Sequence, residues 1–169
     1  MSEGPAQPQD APPSVRGAAE FAAAIHWSVC SAIAAGARRI LWVDNDFADW
    51  PLNDATLLDP LHDWLMQPQR RLQLLALSYE LMPQRYARFV AWRRDRSHVV
   101  DMLAPPEDES IALPTLAVDD GRVSVRLFDR VHWRGRCSLD APDASRIHEQ
   151  FDALLQRSGP GFPVTQLGL

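Results

Sequence analysis

Apolar positions along this chain recur in two rhythms, a spacing of three to four residues and short unbroken runs. Phe21, Ile25, Val29 and Ile33 are four apart and predict an amphipathic helix over about residues 15–35, with Gly36 placed to end it. Leu58, Leu61 and Leu65 predict a second helix over about 55–66, with Asn53 or Asp54 as its cap. Tyr86, Phe89 and Val90 predict a third, running from Leu81 or Pro83 to Arg94. Ile147, Phe151 and Leu154 or Leu155 predict the last, over about 144–157, capped by Asp140 or Asp143. Between these lie a continuous apolar run at 40–43, the pattern of a strand covered on both faces, and largely apolar stretches at 72–77 and 99–103 that predict a second, buried strand and a third.

The strongest local signal is residues 112–130. Two β-branched runs, 115–118 and 123–128, flank Asp119-Asp120-Gly121-Arg122. Asp-Gly between such runs predicts a β-hairpin, because Gly accepts positive φ at no steric cost, and the returning strand is expected to continue through Val131-His132-Trp133. Gly135 and Cys137 then fall in a connection towards Leu139. The whole pattern predicts an α/β fold: a mixed, partly parallel central sheet of about five strands, a β-hairpin in the C-terminal half, and helices on both faces. Residues 1–13, polar with four prolines, read as a disordered leader, 14–160 as a single domain, and 161–169 as a tail.

Composition adds chemistry to this outline. A length of 169 residues suits one domain with a sizeable core. The net charge of −5 argues against nucleic acid as a partner, although a local basic patch is compatible with it. All 17 basic residues are arginine, so the chain has no amine for Schiff-base or proton-transfer chemistry. Cys30 and Cys137 are far apart and lack metal-ligand spacing, which fits a reducing compartment. Neither a signal peptide nor a membrane-length apolar run is visible, so a cytoplasmic protein with no membrane partner is expected. No cofactor motif is present, and neither cofactor nor metal is assigned.

The acidic cluster Asp44-Asn45-Asp46 follows the first apolar run, where ligands gather in open α/β sheets. With a divalent cation this cluster would make a hydrolase or phosphatase, the alternative function; turn hydrogen bonding is the plainer reading. Arg85, Arg88, Arg93, Arg94 and Arg96 form a basic helix face, with Tyr86 and Trp92 available for stacking, read as a solvated surface before a nucleic-acid site.

The element order resembles a single phospholipase D-like half-domain. That family carries His-x-Lys-x-x-x-x-Asp in an extended segment, then an Asp-Gly turn, a returning strand and a closing helix. Residues 115–121 resemble the end of that segment, and Phe151-Asp152-Ala153-Leu154-Leu155 the closing helix. Anchored on Asp119, the pattern puts Ala112 and Pro114 at the histidine and lysine positions; anchored on Asp120, it puts Leu113 and Thr115 there. Neither register supplies an imidazole or an amine, so no catalytic residue is assigned and the reading points away from an enzyme. The chain is also similar to small bacterial domains of unknown function that keep the architecture without its catalytic residues. The resemblance implies a non-catalytic module that binds a partner or a phosphate-bearing ligand. It also implies a homodimer, since family members pair two half-domains, and the six tryptophans offer apolar surface for that. The residues expected to line a ligand site are Asp44, Asp46, Ser78, Asp119 and Arg126.

Overall fold

Strands buried on both faces need helices on both sides, and their alternation decides which side each residue serves. A computed structural model describes residues 11–163; residues 1–10 of the leader expected over 1–13, and residues 164–169 of the tail expected over 161–169, fall outside the described residues. In chain order the elements are β1 (Ser14–Arg16), α1 (Ala18–Ala34), β2 (Arg39–Val43), α2 (Ala55–Leu65), β3 (Arg71–Leu75), α3 (Met82–Arg85), α4 (Ala87–Arg94), β4 (Val100–Ala104), β5 (Thr115–Asp119), β6 (Ser124–Asp129), β7 (Arg134–Ser138), α5 (Ala141–Arg157) and β8 (Gly159–Pro160).

All strands join one sheet in the order β1-β7-β6-β5-β2-β3-β4-β8. Strands β2, β3 and β4 are parallel; every other pairing is antiparallel. The mixed α/β class is therefore as expected, but the sheet has eight strands where about five were expected. Ile40 and Trp42 of β2 point into one core with α1, α2 and Phe89 of α4. Leu41 and Val43 point into a second core closed by Ala144, Ile147, Phe151 and Leu154 of α5. Four helices thus cover one face and a single helix covers the other.

Local chemistry explains the elements. Gly36 takes φ +76° after α1, its N–H donates to the Ile33 carbonyl, and Ala37 N–H reaches back to Ala32, a left-handed helix stop. Asp140 caps α5 by accepting the Asp143 N–H at 3.1 Å.

Several expectations need correction. Residues 14–16 form strand β1, not the first turn of α1, because Val15 is buried in an antiparallel pair with β7. The third helix is broken at Tyr86, whose hydroxyl donates to the carbonyls of Phe47 and Ala48, both at 2.7 Å. The hairpin's second strand ends at Asp129, and residues 134–138 make a strand of their own instead of a connection. The hairpin itself is present, but positive φ at Gly121 is not what turns it; among the described glycines only Gly36 has positive φ. Asp119 turns the chain instead, its Oδ1 accepting from Gly121 N–H at 2.9 Å and Val123 N–H at 2.8 Å. All six tryptophans lie in the first core or pack against it: Trp42, Trp50 and Trp64 are buried, and Trp27, Trp92 and Trp133 are partly exposed. Among the described residues, no helix is long and apolar enough to cross a membrane.

Gly135 fixes the approach of β7 to β6. A Cβ there would stand 2.5 Å from the Arg126 carbonyl oxygen, in the backbone of the neighbouring strand. Gly135→Ala must therefore push the strands apart, and urea unfolding should show a loss of about 1–3 kcal/mol, the usual scale of overpacking.

Candidate functional site

Asp44 stands at the carboxyl end of β2, 1% exposed. Its Oδ1 accepts the Thr115 hydroxyl at 2.6 Å and Arg130 Nη2 at 2.9 Å, and its Oδ2 accepts the Phe47 N–H at 3.0 Å. One carboxylate therefore ties the loop after β2 to the start of β5 and to the turn between β6 and β7. Burial drives its pKa above the ordinary aspartate value, outweighing the Thr115 hydrogen bond and the Arg130 charge, which pull it down. Phe47 is held at φ +60°, a conformation costly for an aromatic residue, with its ring fully buried against Trp50 and its carbonyl bonded to Tyr86.

Asp46 and Ser78 reach the same end of the sheet, each in turn chemistry: Asp46 Oδ1 accepts Ala48 N–H, and Ser78 Oγ accepts Glu80 N–H. The carbonyl of Asn45 accepts from Leu77 and Ser78, stitching the two loops together. Asp119 lies at the opposite end, since β5 is antiparallel to β2 and pairs Asp119 with Ile40 and Leu116 with Val43. It is buried in the hairpin turn, its pKa also raised by burial. Arg126 lies elsewhere again, on β6 beneath α5. The structure therefore brings Asp44, Asp46 and Ser78 to one edge but does not unite them with Asp119 or Arg126; five residues expected to line one site occupy three places. Among the described residues, no group of three or more His, Cys, Asp or Glu side chains is arranged to hold a metal ion.

Residues 112–115, where the phospholipase D pattern would put its histidine and lysine, run into β5 beside Asp44. Thr115, the lysine position in the register anchored on Asp120, is spent on the Asp44 hydrogen bond. The basic helix face is also employed internally. Arg85 donates to Ala48, Arg88 to Asn53 and the buried Arg93 to Val100, while Arg96 bonds His62 and lies over the Trp92 ring at 4.8 Å. Of that set only Arg94 has no such partner among the described residues.

A different basic site replaces it. Beside α5, strands β6 and β7 form the floor of a cleft of about 200 Å³. Ser124, Arg126 and Phe128 come from β6, Arg136 and Ser138 from β7, and Asp143, Arg146, Ile147 and Gln150 from α5. Arg126 and Arg136 are exposed and directly opposite in the register. Neither guanidinium has a hydrogen-bond acceptor or acidic partner among the described residues. Arg146 bonds Asp143 at 3.0 Å. Of these residues the sequence reading had singled out Arg126 alone; the Arg-Gly-Arg-Cys-Ser alternation at 134–138 is the signal that was available for Arg136.

No family profile and no curated protein matches the chain. Solved structures do. TrmBL2, an archaeal chromatin protein whose structure shows a mode of DNA binding, superposes with a TM-score of 0.58 at 14% identity, over 87% of this chain and 52% of that one. The phosphatidylserine synthase of Haemophilus influenzae Rd KW20 superposes with a TM-score of 0.53 at 11% identity, over 83% of this chain and 37% of that one. The likeness is one of fold, supports a distant phospholipase D-like architecture, and spans about half of the first neighbour and little over a third of the second.

The Asp44 network has a pH signature. Because its folded pKa is raised, its contribution to stability is complete below the unfolded value of 3.8 and is lost as pH climbs through the folded value. Asp44→Asn cannot ionise, and Asp119 remains in both proteins. The stability of wild type relative to this variant should therefore fall with rising pH in urea titrations, and a constant difference would refute the assignment. Thr115→Val leaves the carboxylate short of a donor and should cost about 1–3 kcal/mol at neutral pH.

Proposed function

We propose that the chain is a non-catalytic, phospholipase D-like module that binds a phosphate-bearing ligand between Arg126, Arg136 and Arg146. The observation that carries this is a contrast within one sheet face. At the other end of that face, Arg71 Nη1 donates to both carboxylate oxygens of Asp101, at 2.8 and 2.9 Å, and Arg39 donates to Gln73, which itself bonds Asp101. Each of those arginines has its acceptor within the chain. Arg126 and Arg136 face each other across a strand pair with none, an arrangement in which like charges repel. A dianionic group lying over both cancels the repulsion and receives two planar forks of donors, the geometry at which arginine excels. Ser124 and Ser138 add hydroxyls to the cleft wall.

The binding reading is favoured over catalysis by the residues near Asp44. The oxygens of Asp44 already accept three hydrogen bonds, and the family's imidazole and amine positions hold Ala112 and Pro114, or Leu113 and Thr115. DNA and phosphatidylserine, the molecules named for the two structural neighbours, both carry phosphate, which supports the same ligand class.

Titration of the full chain with inorganic pyrophosphate should raise the melting temperature in proportion to the logarithm of its concentration. Arg126→Ala or Arg136→Ala should weaken that binding by roughly tenfold or more, the worth of a charge-assisted hydrogen bond. Neither substitution should lower the stability of the unliganded protein, because each removes a repulsion. No shift with pyrophosphate, or loss of unliganded stability in both variants, would overturn the proposal.

A further inference from the structure

The cleft is one end of a longer cationic row. Register places Arg16 of β1 opposite Arg134 of β7, and Arg136 of β7 opposite Arg126 of β6. Residues directly opposite in a sheet share one side of it, and so do residues two apart on a strand. Arg16, Arg134, Arg136 and Arg126 therefore stand together on the α5 side of the sheet, running from the cleft beside α5 out past that helix, about 5 Å apart across strands and about 7 Å along them. All four are exposed, and no side-chain acceptor is bonded to any of their guanidinium groups among the described residues. Beyond the cleft the row continues into an open groove of about 550 Å³ lined by Arg16, His132 and Arg134. Phe128, 64% exposed, lines the cleft two residues along β6 from Arg126, towards the level of Arg134, and so flanks the row.

This arrangement is more than a single phosphate needs. A protein of net charge −5 has gathered into a row four arginines that have no side-chain acceptor among the described residues, with one uncovered aromatic ring beside the row. A line of positive charge spanning three strands matches a ligand with negative charges at regular intervals. The exposed ring matches a ligand with flat unsaturated faces. Single-stranded nucleic acid has both, and a duplex, whose bases are already stacked on one another, has no free face to offer Phe128. Resting on the phosphate-binding reading above, we propose that the β6–β7–β1 face binds single-stranded nucleic acid, its backbone along Arg126, Arg136, Arg134 and Arg16 and a base stacked on Phe128.

The test is fluorescence anisotropy of a labelled oligothymidylate of about 12 nucleotides with the full chain, at salt from about 50 to 200 mM. Four phosphate contacts predict a slope of log affinity against log salt near −3, since each contact on a single strand contributes about −0.7. Arg16→Ala with Arg134→Ala should reduce that slope by about 1.4 while leaving pyrophosphate binding at the cleft unchanged. Phe128→Ala should weaken oligonucleotide binding by roughly 5- to 150-fold, the range for a lost base stack, with little change in the salt slope. If pyrophosphate binds and the oligonucleotide binds no more tightly, the extended site is wrong and the cleft alone stands; if neither binds, both proposals fall. Duplex bound as tightly as single strand would overturn the stacking role. Binding of anionic lipid vesicles without oligonucleotide, or self-association abolished by the same double substitution, would assign the face to a membrane or to a second copy instead.

Discussion

A sheet has two faces, and this fold gives four helices to one of them and a single helix to the other. That inequality governs the rest of the molecule. Helix α5 is amphipathic and can close only the strip over β5, β2 and β3, where Leu41, Val43, Leu75, Leu116 and Val118 meet its apolar residues. Everything to either side of the strip on that face must be stable in water. At the β3–β4 end this is achieved with paired charges; at the β6–β7–β1 end, with arginines that have no partner among the described residues. The apolar effect sets where the helix lies, and the helix sets which polar groups remain available.

Asp44 shows the opposite economy. Its carboxylate is withdrawn from water, which is costly for a charge, yet it closes the loop after β2 through Phe47 and ties that loop to two segments far away in the chain, the start of β5 and the turn after β6. The strained Phe47 backbone is tolerated because the same carboxylate, Tyr86 and Trp50 hold it from three sides. A polar network of this kind specifies where loops sit more than it adds stability. It also explains why an acidic cluster at the carboxyl end of a strand, which looked like a ligand set, is occupied by the protein itself.

The elements most legible in the chain were those with a full apolar period. The stripe at Phe21, Ile25 and Val29, the run at 40–43 and the Asp-Gly hairpin all lie where the pattern put them. What escaped has a common physical character. Strand β1 is three residues with one buried side chain, β7 is Arg-Gly-Arg-Cys-Ser, and β8 is Gly-Pro. Strands so short or so polar are defined by the neighbour they pair with, and no local periodicity records that neighbour. Arg130 was invisible for the same reason: nothing near it in the sequence announces that its guanidinium reaches Asp44. Arg93 reads as part of a solvated helix face, yet its Nε bonds the Val100 carbonyl from a buried position. Arg126 was singled out in company with Asp119, from which the sheet's geometry separates it.

The pairing of β1 with β7 has a consequence for how the molecule assembles. Val15 lies opposite Gly135, with well over a hundred residues of chain between them. The hairpin β5–β6 closes a loop of a few residues and belongs to the microsecond class of events, whereas joining the first strand to the seventh must await nearly all the others. Until that late step, β7 presents an open hydrogen-bonding edge, and the like-charged side chains along it discourage two nascent molecules from zipping together there.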